Sequence, residues 1–166
     1  MAPSDVLRSA RLTLTPLAVS DATEMWGVLA DPGLYTFTGG EPPTREQLED
    51  LYRHQVAGSA RPAETWLNWV IRQDGTPIGY VQATVRGADA DLGWVIGVPW
   101  QGRGFATEAV SAMRTFLVEL GVARFSAHIH PDHVASQHVA VHLGLRPSDR
   151  YDEDGEMVWV GGEVSP

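Results

Sequence analysis

The stretch Gly97-Val98-Pro99-Trp100-Gln101-Gly102-Arg103-Gly104-Phe105-Ala106-Thr107-Glu108-Ala109 holds the residue types from which an anion-binding turn is built. An apolar run ends before it and an amphipathic one begins inside it, so it reads as strand, glycine-rich turn and helix. Backbone N–H groups at a helix start lack intrahelical partners and carry partial positive charge. Gly102 and Gly104 let such a backbone approach a diphosphate closely, and Arg103 adds a charge. A plain helix start with two glycines has the same letters. The spacing is not the G-x-G-x-x-G of dinucleotide-binding turns, and no Lys-Ser or Lys-Thr follows as in a nucleoside triphosphate loop.

Histidines form the second chemical group. His128 and His130 alternate with Ile129, so both face one side of a strand, and an imidazole titrating near neutrality can serve as a base. His138 and His142 share a helical face at a spacing used by zinc sites. No carboxylate joins them in the H-E-x-x-H manner, and we expect no metal.

These residues need a scaffold, and the chain's periodicities supply one. Arg11–Leu17 alternates as a strand, and a helix runs from a Ser20 cap to about Ala30. After a loop with Gly39-Gly40 and Pro42-Pro43, Thr44 and Gln47 form a capping box for a second helix that fades near Gly58. Strands follow at Trp66–Arg72, Thr76–Arg86 and Asp91–Val98, joined by turns at Asp74-Gly75 and Gly87, so they pair antiparallel. Gly104–Leu120 is an amphipathic helix with Ala109, Ala112, Met113, Phe116, Leu117 and Leu120 on one face. Arg124–Ile129 is a strand, Val134–Leu143 a helix, and Arg146–Tyr151 with Met157–Val160 a last hairpin. Strand, helix, strand from Asp91 to Ile129 implies a parallel pair with a right-handed crossover. The expected fold is mixed α/β, with one sheet of six to seven strands, antiparallel early and parallel at its centre, and about four helices.

The 166 residues suit one domain, with a structured core from about residue 10 to 160. A charge of −9, with every base an arginine, argues against a nucleic-acid partner. It suits a cationic or neutral partner, or simply solubility. There is no cysteine, which excludes disulfides and thiolate chemistry. Met1–Arg11 has no signal-peptide pattern and no window has the roughly 20 apolar residues of a membrane span, so a cytoplasmic location is expected.

Gln101-x-x-Gly104-x-Ala106 resembles the Gln/Arg-x-x-Gly-x-Gly/Ala signature of the GNAT superfamily of N-acetyltransferases. Trp94–Ala109 is similar to the form found in the branch that includes the ribosomal-protein N-acetyltransferases, and His133–Ser136 with His142–Leu145 resembles a second motif of that branch. The resemblance implies a single GNAT-type domain and an acetyl-CoA-dependent transfer of an acetyl group to a primary amine, on a small molecule or a protein N-terminus, by a monomer or homodimer. It implies that Gln101, Gly102, Arg103, Gly104, Phe105, Ala106 and Thr107 bind the coenzyme A diphosphate. Trp94, Val95 and Ile96 would pair with the pantetheine arm where the two parallel strands splay, and a backbone N–H near Ile96 would polarise the thioester carbonyl. His133 stands where the branch has Asn, and Ser136 matches its Ser. Many relatives carry a tyrosine acid where this chain has Ala140, which makes Ser136 the next candidate to protonate the leaving thiolate.

An amine of pKa ~10 must lose a proton before it attacks. Glu41, beside two glycines, is the first choice of base, with His128 and His130 as alternatives. At least three of the six tryptophans should fill the core, and Trp94, on the splayed strand, is the candidate to line an acceptor cleft. Asp152–Glu156 reads as an exposed turn that also suits screening for basic acceptors. The departures at His133 and Ala140 motivate a rival reading, an acyl-CoA-binding sensor or scaffold without catalysis. A transferase fed by aminoacyl-tRNA is disfavoured by the acidic charge.

Overall fold

A computed structural model describes residues 5–162, so the first residues of the Met1–Arg11 stretch lie outside the described residues. Its elements in chain order are β1 (Leu7–Arg8), β2 (Thr13–Pro16), α1 (Ala22–Val28), α2 (Arg45–Ala57), β3 (Glu64–Gln73), β4 (Thr76–Arg86), β5 (Asp89–Ile96), α3 (Phe105–Glu119), β6 (Arg124–Ile129), α4 (Val134–His142), β7 (Arg146–Tyr151) and β8 (Met157–Gly162). Among the described residues the strands form one eight-stranded sheet in the order β1-β2-β3-β4-β5-β6-β8-β7. β5 and β6 are parallel, and every other neighbouring pair is antiparallel.

The strand beyond the expected seven is β1. Its two residues pair with Leu14 and Thr13, and two residues are too few to show a period. β5 also begins and ends two residues earlier than expected. A two-residue turn at Gly87-Ala88 starts it sooner, and Val98–Trp100, with Pro99, turns into a 3₁₀ segment. Ser20 does not cap α1. A 3₁₀ turn at Val19–Asp21 leads into α1, and within that turn the Asp21 carboxylate accepts the N–H of Ala18 (2.9 Å), so no side chain caps α1 itself. The Thr44/Gln47 capping box is present in both directions.

Two apolar layers sandwich the sheet. Leu67, Trp69 and Ile71 of β3 face α3 and α4, packing with Phe105, Ala109, Val110, Met113 and Leu117. Val70, of opposite parity, faces α1 and α2 with Met25, Leu48 and Tyr52. Leu120, expected on the buried face of α3, is 59% exposed because it sits at the helix end as the chain turns through Gly121 (φ 100°). Only Trp69 and Trp159 are buried, fewer than the three tryptophans expected. Trp94 and Trp100 are half-buried against the α3 side, Trp66 lies against His54, and Trp26 is exposed on α1. No described helix is long and apolar enough to cross a membrane.

Candidate active site

The glycine-rich turn is built by backbone geometry. Gly102 (φ 77°) and Gly104 (φ 78°) both occupy the left-handed region, and Gly104 is the N-cap of α3. Nothing lies within 4 Å of where a Cβ on Gly102 would project, so the backbone angle and not packing demands glycine there. The first helical bond runs from the N–H of Glu108 to the carbonyl of Gly104 (3.1 Å). The N–H groups of Phe105, Ala106 and Thr107 therefore precede the ladder and point forward from the helix end. The Phe105 side chain is buried in the core, so only its backbone is available at the surface. Gln101 already has a partner: its Nε2 donates to the carbonyl of Ile96 (2.9 Å), closing the turn onto the strand end.

A residue pair distant in sequence holds this turn. The Glu108 carboxylate accepts from Arg11 Nε (2.7 Å), the Arg11 N–H (2.9 Å) and the Ser9 hydroxyl. Arg11 Nη2 donates to the carbonyl of Arg103 (3.0 Å), and the guanidinium lies over the Phe105 ring at 4.4 Å. Burial pushes the Glu108 carboxyl up, but the bonds from Ser9 and Arg11 outweigh it and leave it below its ordinary value. A carboxylate with a depressed folded-state value contributes stability above its unfolded value and loses it as pH falls through the folded one. Glu108→Gln should therefore cost about 1–2 kcal/mol near neutrality, discounted for the half-exposed Arg11. Urea unfolding at about pH 7 and about pH 3 should show the gap between variant and wild type close in acid. An equal gap at both pH values would refute the clamp.

Beside the turn the sheet opens. Parallel pairing joins Asp89–Leu92 to Arg124–Ala127 and stops there. Gly93–Ile96 and His128–Ile129 continue unpaired to each other, while β4 still pairs with β5 as far as Gly79 opposite Ile96. The N–H of Gly97 donates to the carbonyl of Ile78 (2.7 Å), on the β4 side. Strand alternation then turns the N–H of Ile96 towards the opening.

α4 follows β6 and packs against it. His133 is its N-cap residue, and its Nε2 lies 3.4 Å from the Ser136 hydroxyl. Phe37, from the α1–α2 loop, stacks on His133 with ring centroids 4.4 Å apart and lies 5.4 Å from His130. Burial and the neighbouring His130 hold the His133 imidazole below its ordinary pKa. Ala140, one turn beyond Ser136, is fully buried. Glu41 is exposed on the loop that carries Phe37, after Gly39 and Gly40, both in the left-handed region.

On the side of the sheet facing α1 and α2, the His128 Nδ1 lies 2.8 Å from Asp152 and its Nε2 3.5 Å from Asp91. Asp152 is thus more than part of an exposed turn. Burial pushes its carboxyl up, but the N–H of Glu156, the His128 ring and the N–H of Asp154 together bring it below its ordinary value. Asp91 is pushed up, chiefly by burial. The carboxylate oxygens of Asp152, Asp154 and Glu156 lie within 4.8 Å of one another. His142 uses its Nδ1 on the carbonyl of His138 (2.8 Å).

The structure brings Gln101 onto Ile96 at the strand end and sets Ser136 beside His133 at the start of α4. It places Trp94 with the α3-side core, while Val95 packs on the α1–α2 side. Arg11, Glu108, Phe37 and Asp91 were not legible as site residues, and Asp152 was legible only as part of an acidic turn. The alternation of Asp89 and Asp91 with Ala90 and Leu92 was a signal for Asp91, whereas Arg11 and Glu108 meet only through the fold.

A family profile described as an acetyltransferase (GNAT) domain matches residues 11–146, and the chain belongs to that family of acetyltransferases. Mycobacterium smegmatis RimJ in complex with CoA-disulfide has a similar structure, with a TM-score of 0.82 at 21% identity over 98% of this chain and 90% of that one. The ribosomal alpha-N-protein acetyltransferase RimL in complex with coenzyme A has a TM-score of 0.80 at 14% identity, covering 95% and 98%. An acetyltransferase of the GNAT family from Bacillus anthracis has a TM-score of 0.80 at 16% identity, covering 97% and 100%. These likenesses show the fold. No match was found among curated protein sequences.

Proposed function

We propose that the protein transfers an acetyl group from acetyl-coenzyme A to a primary amine, on a small molecule or a protein N-terminus. The observation that carries this is the opening between β5 and β6 beside the glycine turn, because it offers an anion cradle and a slot for a thioester arm in line. Gly102–Thr107 would hold the diphosphate through backbone N–H groups, with the Arg103 side chain adding charge. Trp94, Val95 and Ile96 would meet the pantetheine through the free edge of β5, and the Ile96 N–H would polarise the thioester carbonyl. Ser136, next to His133, is the hydroxyl available to the leaving thiolate. Glu41 and His128 are the groups available for the proton of the amine. RimJ and RimL, whose structures hold coenzyme A groups, share the fold and lend support to the cofactor.

The buried Ala140 favours one rival, an acyl-CoA-binding sensor without turnover, because no tyrosine acid stands there. Thiol release from acetyl-CoA across an amine panel separates the two. Turnover with some amine is expected, and Ser136→Ala should lower kcat by about 10²-fold with coenzyme A affinity retained. Coenzyme A binding with no thiol release from any amine would establish the rival instead.

A further inference from the structure

His128 is the first residue of β6 beyond the parallel pairing, at the mouth of the opening. Phe125, Ala127 and Ile129 are buried towards α3, so Ser126, His128 and His130 project to the side of α1 and α2. Asp152 Oδ1 accepts the N–H groups of Asp154 and Glu156 (both 2.9 Å), which commits that oxygen and aims Oδ2 at the His128 Nδ1, 2.8 Å away. An ionised carboxylate only accepts, so Nδ1 carries a hydrogen, and in the neutral ring Nε2 is then the basic nitrogen. Nε2 looks towards Asp91 Oδ2 at 3.5 Å, and Asp91 Oδ1 accepts the Ser126 hydroxyl (3.1 Å). The His128 side chain is 35% exposed, so an acceptor can reach it.

We propose that His128 takes the proton from the acceptor's ammonium group, with Asp152 setting its tautomer and Asp91 stabilising the imidazolium. This rests on the amine-acetylation reading above. The ammonium N–H proton passes to Nε2, and the freed amine nitrogen attacks the thioester carbonyl carbon. The C–N bond forms, the C–S bond breaks, and the thiolate takes up a proton as the nitrogen loses its second one. His128 then returns its proton to water. Glu41 lacks such support, being exposed on a loop. The charged groups around His128 are Asp91 on β5, His130 on β6, and Asp152, Asp154 and Glu156 in the β7–β8 turn, with Arg86 of β4 near Asp91.

The test is the pH dependence of kcat/KM for a turned-over amine, read on wild type, His128→Gln, Asp152→Asn and Glu41→Gln, with coenzyme A affinity and Tm measured on each. His128→Gln should lose about 10²-fold near neutrality and recover as pH approaches the amine's own pKa of ~10, with coenzyme A affinity unchanged. Asp152→Asn keeps the imidazole but removes the acceptor that holds its tautomer, so kcat should fall with the KM for the amine little changed. Wild-type rates and profile in His128→Gln, or loss of the acid limb in Glu41→Gln instead, would overturn the assignment. So would a fall in coenzyme A affinity as large as the fall in rate. If wild type acetylates no amine, the reading beneath it fails as well, whereas turnover untouched by His128→Gln sinks this inference alone.

Discussion

Gly79→Ala is expected to lower the Tm by roughly 5–10 °C and to weaken coenzyme A binding with it, from an overpacking cost of about 2–3 kcal/mol. Gly79 lies opposite Ile96 at the end of β5, and a Cβ there would run into the carbonyl of Val95. Backbone cannot rotate aside as a flexible side chain can, so one strand must move. β4 has little slack at this point. The pairing with β3 shifts next to Gly79, a β-bulge that places Ile78 on the α3 side with Val81 and Ala83, while Tyr80 faces α1 and α2. The strand displaced would be the end of β5, which carries the free N–H of Ile96. Calorimetry and a coenzyme A titration check both effects, and a variant melting at the wild-type temperature would show that the strands tolerate the methyl.

Gly104→Val should lower coenzyme A affinity by about 10- to 100-fold while costing about 1–2 kcal/mol in stability. The left-handed φ of 78° at Gly104 is unfavourable for any side chain and a genuine outlier for a β-branched one. If the backbone relaxes to negative φ, the N–H groups of Phe105 and Ala106 no longer converge on one point. Losing one charge-assisted bond to a phosphate accounts for a tenfold change or more. Gly102→Ala is the informative companion, since its Cβ would enter open space and only the backbone angle is disturbed. Isothermal titration with coenzyme A measures both variants. Wild-type affinity in Gly104→Val would remove the turn from the binding site.

Much of the local structure was legible because short-range rules governed it. Thr44 and Gln47 lie within one turn of each other, Asp74-Gly75 needs only its own dihedrals, and Thr76–Arg86 and Arg124–Ile129 appear with the bounds their alternation implied. The misplaced ends have equally local causes: a two-residue hairpin turn shifted the start of β5, and the 3₁₀ segment around Pro99 shifted its end. At α1 a 3₁₀ turn over Val19–Asp21 moved the helix start past Ser20, and the Asp21 carboxylate bonds back to the Ala18 N–H of that turn. Trp94 went to the α3 side through strand parity, which position along the strand alone had not decided.

By itself, then, the sequence determined the glycine turn at Gly97–Ala109, the helix it opens and the mixed order of strands and helices, since each depends on neighbours a few residues apart. Tertiary structure alone decided how that turn is held and what faces it. Arg11 meets Glu108, Phe37 covers His133, and Asp152 reaches His128 across separations that carry no periodic signal. Such contacts exist only once the sheet has brought distant strands side by side, because hydrogen bonds and ring stacking act over a few ångströms of space whatever the distance along the chain.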